Sequence, residues 1–527
     1  MDAHDRGRAA RLLTKESLTG TTALLAYLGL ADFLAHVAIA GNYGYFRDEL
    51  YYIVSGTQHL SLDYVDFAPM VAWVAAVLYP LTGDSLVSIH VVSALVEAVL
   101  VFVSGMIARE LGGGRRAQLL AALATLLTLT FLADGSELSP DPFDQLCWSV
   151  LAYVIVRLVR RKEPKMWVAA GLVVGVGLPS KLTMFFFAGA LLLAFLIIPS
   201  SRTYLRSRWV IVGGLVALVL ALPMVYWNAV NGWPTVQFYK SFTGDFNAGP
   251  LGFAFAQLEE PNPLNVPILL LGVWFYLRSD GGRGLRALGV AYLILFAFMT
   301  VLGMKPYYLA PIYPMLYAGG ALVAERSLAS RKGPARVFGS RPWAVATLLI
   351  AALLAPLIMP ILQPATLIGA YGASTVQGTN GGIASGETGP LPQNLGDRLG
   401  WPEMVSTLAQ VYSSLPASER SQACIFATNY GEASAVNLLG KGMGLPPAIS
   451  GHNNYFVWGP APCTGQVLIT VGESVAADQQ AFANVTLATT ITCQYCMDIE
   501  NNVPVIVCTT PTFTSLSAEW QVVKAYG

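Results

Sequence analysis

Charge is what this chain has least of. Only 12% of its 527 residues are Asp, Glu, Lys or Arg, the formal net charge is zero and the mean hydropathy is +0.55. So little charge excludes a water-soluble domain as the main body of the chain. The lack of a basic excess removes any reason to expect a nucleic-acid partner. No cleavable leader is expected: Arg6, Arg8, Arg11 and Lys15 precede an apolar run, but the run is long and Ala38-Ile39-Ala40 is a poor cleavage site. The first span is expected to stay. No internal repeat is visible, which counts against a transporter built from inverted halves.

What is present is long apolar runs, with 54% hydrophobic residues. A helix needs roughly 20 apolar residues to cross a bilayer, and that criterion marks eleven spans near 21–41, 85–108, 117–134, 142–160, 166–180, 182–199, 209–228, 264–279, 286–303, 306–324 and 342–363. The run from Pro69 to Leu81 is too short and is expected to lie in the interface, with Trp73 and Tyr79 at headgroup level. With that choice, 23 of the 31 Lys and Arg fall in the N-terminal tail and alternate loops. The positive-inside rule then makes the N-terminus cytoplasmic and the C-terminus external. The expected organisation is a cytoplasmic tail (1–20), a membrane domain (21–363) with outer loops 42–84, 134–141 and 229–263, a Gly/Ser/Thr/Pro-rich linker (364–400) and a small external α/β domain (401–527).

The outer loops hold the candidate chemistry. Directly after the first span comes Tyr45-Phe46-Arg47-Asp48-Glu49-Leu50-Tyr51-Tyr52, two adjacent acids at a membrane edge, with helical spacing through Gly56. Asp63, Asp66 and Asp84 follow. The second outer loop carries Asp134, Glu137, Asp141 and Asp144, where Ser139 or Asp141 is placed to cap a helix beginning Pro140-Asp141-Pro142. Lone outward lysines stand at Lys181 and Lys305, the latter beside Tyr307 and Tyr308. Either can simply snorkel, or can meet a phosphate. The loop 229–263, with Glu259 and Glu260, is long enough to cover a site. Within spans, Asp32 and His36 lie one turn apart and Glu97 faces the bundle; these ionisable groups are functional candidates, although Asp32 and His36 can equally satisfy each other.

Taken together, Asp48-Glu49, Asp66, Asp141-Pro142-Phe143, Ser180-Lys181 and Lys305-Pro306-Tyr307-Tyr308-Leu309-x-Pro311-x-Tyr313-Pro314 resemble the pattern of glycosyltransferase family 39. That family includes protein O-mannosyltransferases and bacterial lipid A aminoarabinose transferases, of GT-C fold. The resemblance covers about 45–315 and implies a transferase that takes a sugar from a polyprenyl phosphate at the outer face of the bacterial inner membrane. It implies catalytic roles for Asp48, Glu49 and Asp141, with Lys181 and Lys305 as the family's outer lysines. One departure stands out. Where the aminoarabinose transferases have Glu-Lys-Pro-Pro, this chain has Asp66-Phe67-Ala68-Pro69, so that subgroup's donor and acceptor do not carry over.

The residue types suit this chemistry. A carboxylate can act as general base on an acceptor hydroxyl, and acids stabilise an oxocarbenium-like transition state. The leaving phosphate needs cations, a role open to Arg47, Lys181 or Lys305. One displacement inverts the anomeric centre; the acids could hold a metal through oxygen ligands, but the resemblance implies a reaction without metal or other cofactor. The acceptor is a glycan, lipid or protein hydroxyl. Further substrate contacts are expected at Asp66, Tyr51, Tyr307 and Tyr308.

In the tail, the apolar runs 423–427, 467–471 and 503–507 read as buried strands, alternating with helices near 402–414, 431–440 and 474–483. The stretches 429–433 and 450–460 resemble tails of bacterial members of the same family, and His452 and Asn453 are candidates for sugar or headgroup contact. Five of the six cysteines, Cys424, Cys463, Cys493, Cys496 and Cys508, lie here; their pairing cannot be deduced. A transporter of a lipid or glycan precursor, and a non-catalytic envelope receptor, are the alternatives.

Overall fold

The computed structural model describes residues 19–83, 85–241, 249–378 and 388–526. The tail residues Arg6, Arg8, Arg11 and Lys15, Asp84 and the linker stretch 379–387 lie outside the described residues. The chain is a mostly helical polytopic membrane protein with a small C-terminal domain built on one sheet. Five helices are long and apolar enough to cross a bilayer: Thr21–Ile39, Leu86–Glu110, Pro140–Arg161, Arg208–Val230 and Asp280–Leu302. Shorter apolar helices accompany them at Met70–Thr82, Met166–Gly177, Thr183–Ile197, Pro263–Arg278 and Arg341–Leu357.

Eleven spans were expected and five reach full length, for identifiable local reasons. The segment 117–134 divides into Arg115–Leu126 and Leu129–Asp134. At the break, Thr128 bonds the Ala124 carbonyl at 2.8 Å and the Tyr317 hydroxyl at 3.0 Å, a hydroxyl competing with the helix's own ladder. The segment 306–324 opens as a tight 3-10 turn, Pro306–Ile312, before the helix Tyr313–Ser330, because prolines deny the ladder its donors. Apolar side chains such as Ile211, Leu349 and Val301 point outward from the helices; lipid tolerates such a surface and water does not. Where helices touch, small residues let backbones approach. A Cβ at Gly171 or Gly213 would collide with the other helix of the pair Met166–Gly177 and Arg208–Val230.

In the short helix Met70–Thr82 both aromatics have protein partners. Tyr79 is buried with Tyr52, Ile53, Val71, Ile89 and Leu138, and Trp73 donates to the Ser61 carbonyl at 2.8 Å. The helix packs on the outer helix Arg47–Gln58, where Gly56 leaves room for the Ala72 carbonyl.

The C-terminal sheet has strands β1 (Ala423–Ala427), β2 (Ala448–Ile449), β3 (Val467–Val471), β4 (Phe482–Ile491) and β5 (Val503–Pro511), in the order β2-β1-β3-β5-β4. β1, β2 and β3 run parallel, whereas β5 and β4 are antiparallel additions, so the sheet is mixed. In register, Ile425 stands beside Ile469 and Ile469 beside Val507. The helix expected over 474–483 is confined to Val475–Asp478, and β4 follows it; this strand lies at the sheet's edge and is mostly exposed, so it lacks the apolar run by which buried strands are recognised. Disulfides join Cys424 to Cys463 and Cys493 to Cys496, leaving Cys508 buried and free. The hydrophobic core of this domain extends beyond it: Leu50, Tyr51 and Val54 of the outer helix pack in one cluster with Trp401, Val405, Ile425 and Ile469.

Candidate active site

The outer helix Arg47–Gln58 starts with its two acids in the first turn, where the helix dipole favours negative charge. They have different surroundings. Glu49 is 0% exposed. Its carboxylate accepts from Phe46 N at 2.8 Å, Leu138 N at 2.5 Å and His90 Nε2 at 2.9 Å. Asp48 is half-buried and accepts from the Tyr430 hydroxyl at 2.6 Å. One acid thus locks the loop before Pro140 to the outer helix, and the other remains within reach of a ligand.

A second cluster gathers at Asp141. Ser139 is the cap, accepting from Asp141 N at 3.3 Å, which leaves the Asp141 carboxylate for Lys181 Nζ at 2.5 Å. Lys181 also sits 4.5 Å over the Tyr308 ring and 4.8 Å over Tyr307, and Lys305 lies 6.0 Å over Tyr307. Burial would lower the Lys181 ammonium, but Asp141 holds it above its ordinary range, so it stays charged.

Asp66 forms the third corner. It accepts from Tyr51 Oη at 3.0 Å, Asn453 Nδ2 at 2.9 Å and Asn454 Nδ2 at 2.9 Å. Burial pushes its carboxyl up to about 7, with the Asp48 charge adding to the effect against these donors. Tyr52 ties the corners together. Burial first, and then the charges of Asp48, Asp66 and Asp141 and the Tyr430 hydroxyl, hold the Tyr52 hydroxyl well above its ordinary range. The charges of three acids from separate segments of the chain therefore bear on one hydroxyl.

The remaining predicted residues are placed less directly. Arg47 is 9% exposed, 3.3 Å from Asp397 and over the Tyr430 ring at 5.9 Å. Tyr51 is buried in the interdomain core, and Asn454 N donates to its hydroxyl at 2.9 Å. His452 Nδ1 accepts from Tyr430 N at 3.4 Å. Within the bundle, His36 lies 3.5 Å from the Asp32 carboxylate and meets the Asp32 and Leu132 carbonyls, while Asp32 Oδ2 is buried with no hydrogen-bond partner among the described residues. Residues not singled out from sequence are Tyr430, Asn454, His90 and Arg398. Arg398 is 1% exposed and donates to Ser136 O at 3.0 Å and Glu137 Oε2 at 2.8 Å. The stretches containing Tyr430 and Asn454 did stand out; nothing in the sequence pairs them with Asp48 or Asp66. Both come from the carboxyl ends of parallel strands, Tyr430 after β1 and Asn453-Asn454 after β2, where open α/β sheets ordinarily present ligand-contacting loops. Among the described residues, no group of three or more His, Cys, Asp or Glu is arranged to hold a metal ion.

Comparison with known proteins adds the following. Residues 66–227 match the family model described as dolichyl-phosphate-mannose-protein mannosyltransferase. The lipid A galacturonosyltransferase RgtD of Rhizobium johnstonii is 27% identical over 252 residues, 45% of this chain; the match spans about half the length of that relative, 50%. The crystal structure of ArnT from Cupriavidus metallidurans bound to undecaprenyl phosphate aligns over 93% of this chain and 98% of that one, with a TM-score of 0.56 and 16% identity. Its apo form aligns over 91% and 97%, again at 0.56 and 16%. The chain thereby shares the fold of ArnT.

Proposed function

We propose that this protein, a polytopic membrane protein with the GT-C fold, transfers a sugar from a polyprenyl-phosphate donor to an acceptor hydroxyl at the outer face of the membrane. The observation that carries this reading is the half-buried Asp48, held by the Tyr430 hydroxyl at 2.6 Å, together with the Asp141–Lys181 contact at 2.5 Å over the rings of Tyr307 and Tyr308. A base, a polar sugar-sized surround and phosphate-directed cations are the parts that such a reaction needs.

In the proposed reaction Asp48 takes the proton of the acceptor hydroxyl as its oxygen bonds the anomeric carbon. The bond from that carbon to the phosphate oxygen breaks on the opposite side, and the lipid phosphate leaves with the electron pair. A single displacement inverts the centre. The departing phosphate gains no proton; Lys181 and Lys305 meet its charge, without a metal. Arg47, committed to Asp397, and Glu49, committed to His90 and two amides, hold the frame of the site. The Asp141–Lys181 pair keeps the lysine charged and aimed, and Asp66 with Asn453 and Asn454 lines the sugar side. In this reading the N-terminus is cytoplasmic, and the shorter apolar helices complete the bundle in a bacterial inner membrane.

The test is transfer by purified protein in lipid nanodiscs, using as donor the polyprenyl-phosphate sugar extracted with it and identified by mass spectrometry. Asp48→Asn should lower turnover by about 10²–10⁴-fold, the usual contribution of a general base, while donor binding persists. Undiminished transfer by that variant rejects Asp48 as the base.

A further inference from the structure

The first turn of the helix Tyr430–Leu439 is built to fixed geometry. Asn429 caps it, accepting from Glu432 N at 2.9 Å, and Glu432 reaches back to the amides of Asn429 and Thr428 at 3.3 and 3.1 Å. This reciprocal cap immobilises the turn. Tyr430 is the first helical residue. Its ring stacks on Tyr51 at 4.5 Å between centroids and faces the Arg47 guanidinium on another side. Gly431 then decides how close the turn can come. A Cβ there would meet Arg47 Cγ at 2.5 Å and Cδ at 2.8 Å, in the stem of a side chain that is itself held at Asp397. Without a side chain at 431, the helix closes on the membrane domain until the Tyr430 hydroxyl reaches Asp48 Oδ1 at 2.6 Å. That distance is typical of a hydroxyl donating to a charged carboxylate.

We propose that Tyr430 is a positioning residue for Asp48: its hydroxyl fixes Oδ1 so that Oδ2 is the oxygen presented to the acceptor, and the C-terminal domain is thereby an obligatory part of the active site. The inference rests on the reading of Asp48 as the base. The hydroxyl suits the task because burial, and then Asp48 itself, hold it well above the ordinary tyrosine range; it keeps its proton and remains a donor. Two further bridges from the same domain, Asn453 and Asn454 to Asp66, fix the neighbouring acid in the same way.

Phenylalanine keeps the ring, its stacking and its volume, so a tyrosine needed only for packing would tolerate Tyr430→Phe. Positioning predicts a split instead. With the extracted polyprenyl-phosphate sugar as donor, kcat should fall about 10- to 100-fold, as expected for losing a hydrogen bond to a charged group. KM for the donor, binding of polyprenyl phosphate by native mass spectrometry and the thermal midpoint should stay at the parent's values. Unchanged kcat, or a loss of kcat that comes only with loss of lipid binding and of the midpoint, overturns the proposal. Asp48→Asn run in parallel separates the two readings. If it is inactive while Tyr430→Phe is fully active, positioning fails and the base stands; if Asp48→Asn is active, the base itself is wrong and the positioning role falls with it.

Discussion

Removing His90 tests the frame that holds both acids of the outer helix. His90 Nδ1 faces the Ala40 carbonyl at 2.8 Å and Nε2 faces the Glu49 carboxylate at 2.9 Å. The ring thus bridges the Ala40 carbonyl and the Glu49 carboxylate. Burial alone would raise the Glu49 carboxyl; His90, with help from Arg398 and the Leu138 amide, outweighs it and holds it below the ordinary value of 4.5. The unfolded chain therefore binds this proton more readily than the folded one. Glu49 adds stability above about pH 4.5, and loses it as pH falls through the lowered folded value. In His90→Ala the carboxylate keeps two amide donors and the Arg398 charge but loses its directly bonded partner, in a site closed to water. Breaking a buried pair in this way costs about 3–5 kcal/mol. The pH dependence should also change sign, because burial, the largest influence, then outweighs Arg398 and the amides and lifts the Glu49 carboxyl above its unfolded value. The variant should then lose stability as pH rises from about 4.5 toward neutrality. The double variant His90→Ala, Glu49→Gln has no carboxylate at position 49 and should lack that slope. Thermal unfolding in nanodiscs, followed by tryptophan fluorescence across this pH range, measures both effects. A variant within about 1 kcal/mol of the parent, or one that keeps the parent's acid-side loss, refutes the account of Glu49 as a charge locked by His90.

Two other substitutions probe the phosphate side and the membrane packing. Lys181→Met should weaken polyprenyl-phosphate binding about tenfold or more, the scale of one charge-assisted contact, as read by native mass spectrometry; the same affinity in the variant would exclude Lys181 as a phosphate contact. Gly213→Leu should force apart the helices Met166–Gly177 and Arg208–Val230, whose backbones meet there, at a cost of about 1–3 kcal/mol. A lower thermal midpoint with an unchanged kcat in the surviving protein is the expected result, and an unchanged midpoint would show that the close contact is not needed.

Much of the fold was legible because its signals are local. Low charge and long apolar runs announce a polytopic membrane protein. The helical spacing after Phe46 and the buried runs at Ala423–Ala427 and Val467–Val471 appear as the helix and strands they suggested. Span length was less legible, because whether Thr128 bonds its own helix or Tyr317, and where Pro306 and Pro311 stop a ladder, depend on neighbours far along the chain. The edge strand Phe482–Ile491 was missed since exposure on both faces leaves no periodic apolar trace.

For the site, the sequence by itself determined which residue types were on offer: acids at 48, 49, 66 and 141, and lysines at 181 and 305. These lie beside apolar segments and follow a pattern that can be recognised without coordinates. Only the tertiary structure decided which of the two adjacent acids is free. It buried Glu49 against His90 and the Leu138 amide, left Asp48 half-exposed, and brought Tyr430 to it from 382 residues away. The physical reason is the range of the forces involved. Hydrophobic length and helical spacing act between near neighbours and are written along the chain, whereas a hydrogen bond or an ion pair depends on where a domain docks, here through a core shared by Leu50, Tyr51, Trp401 and Ile425.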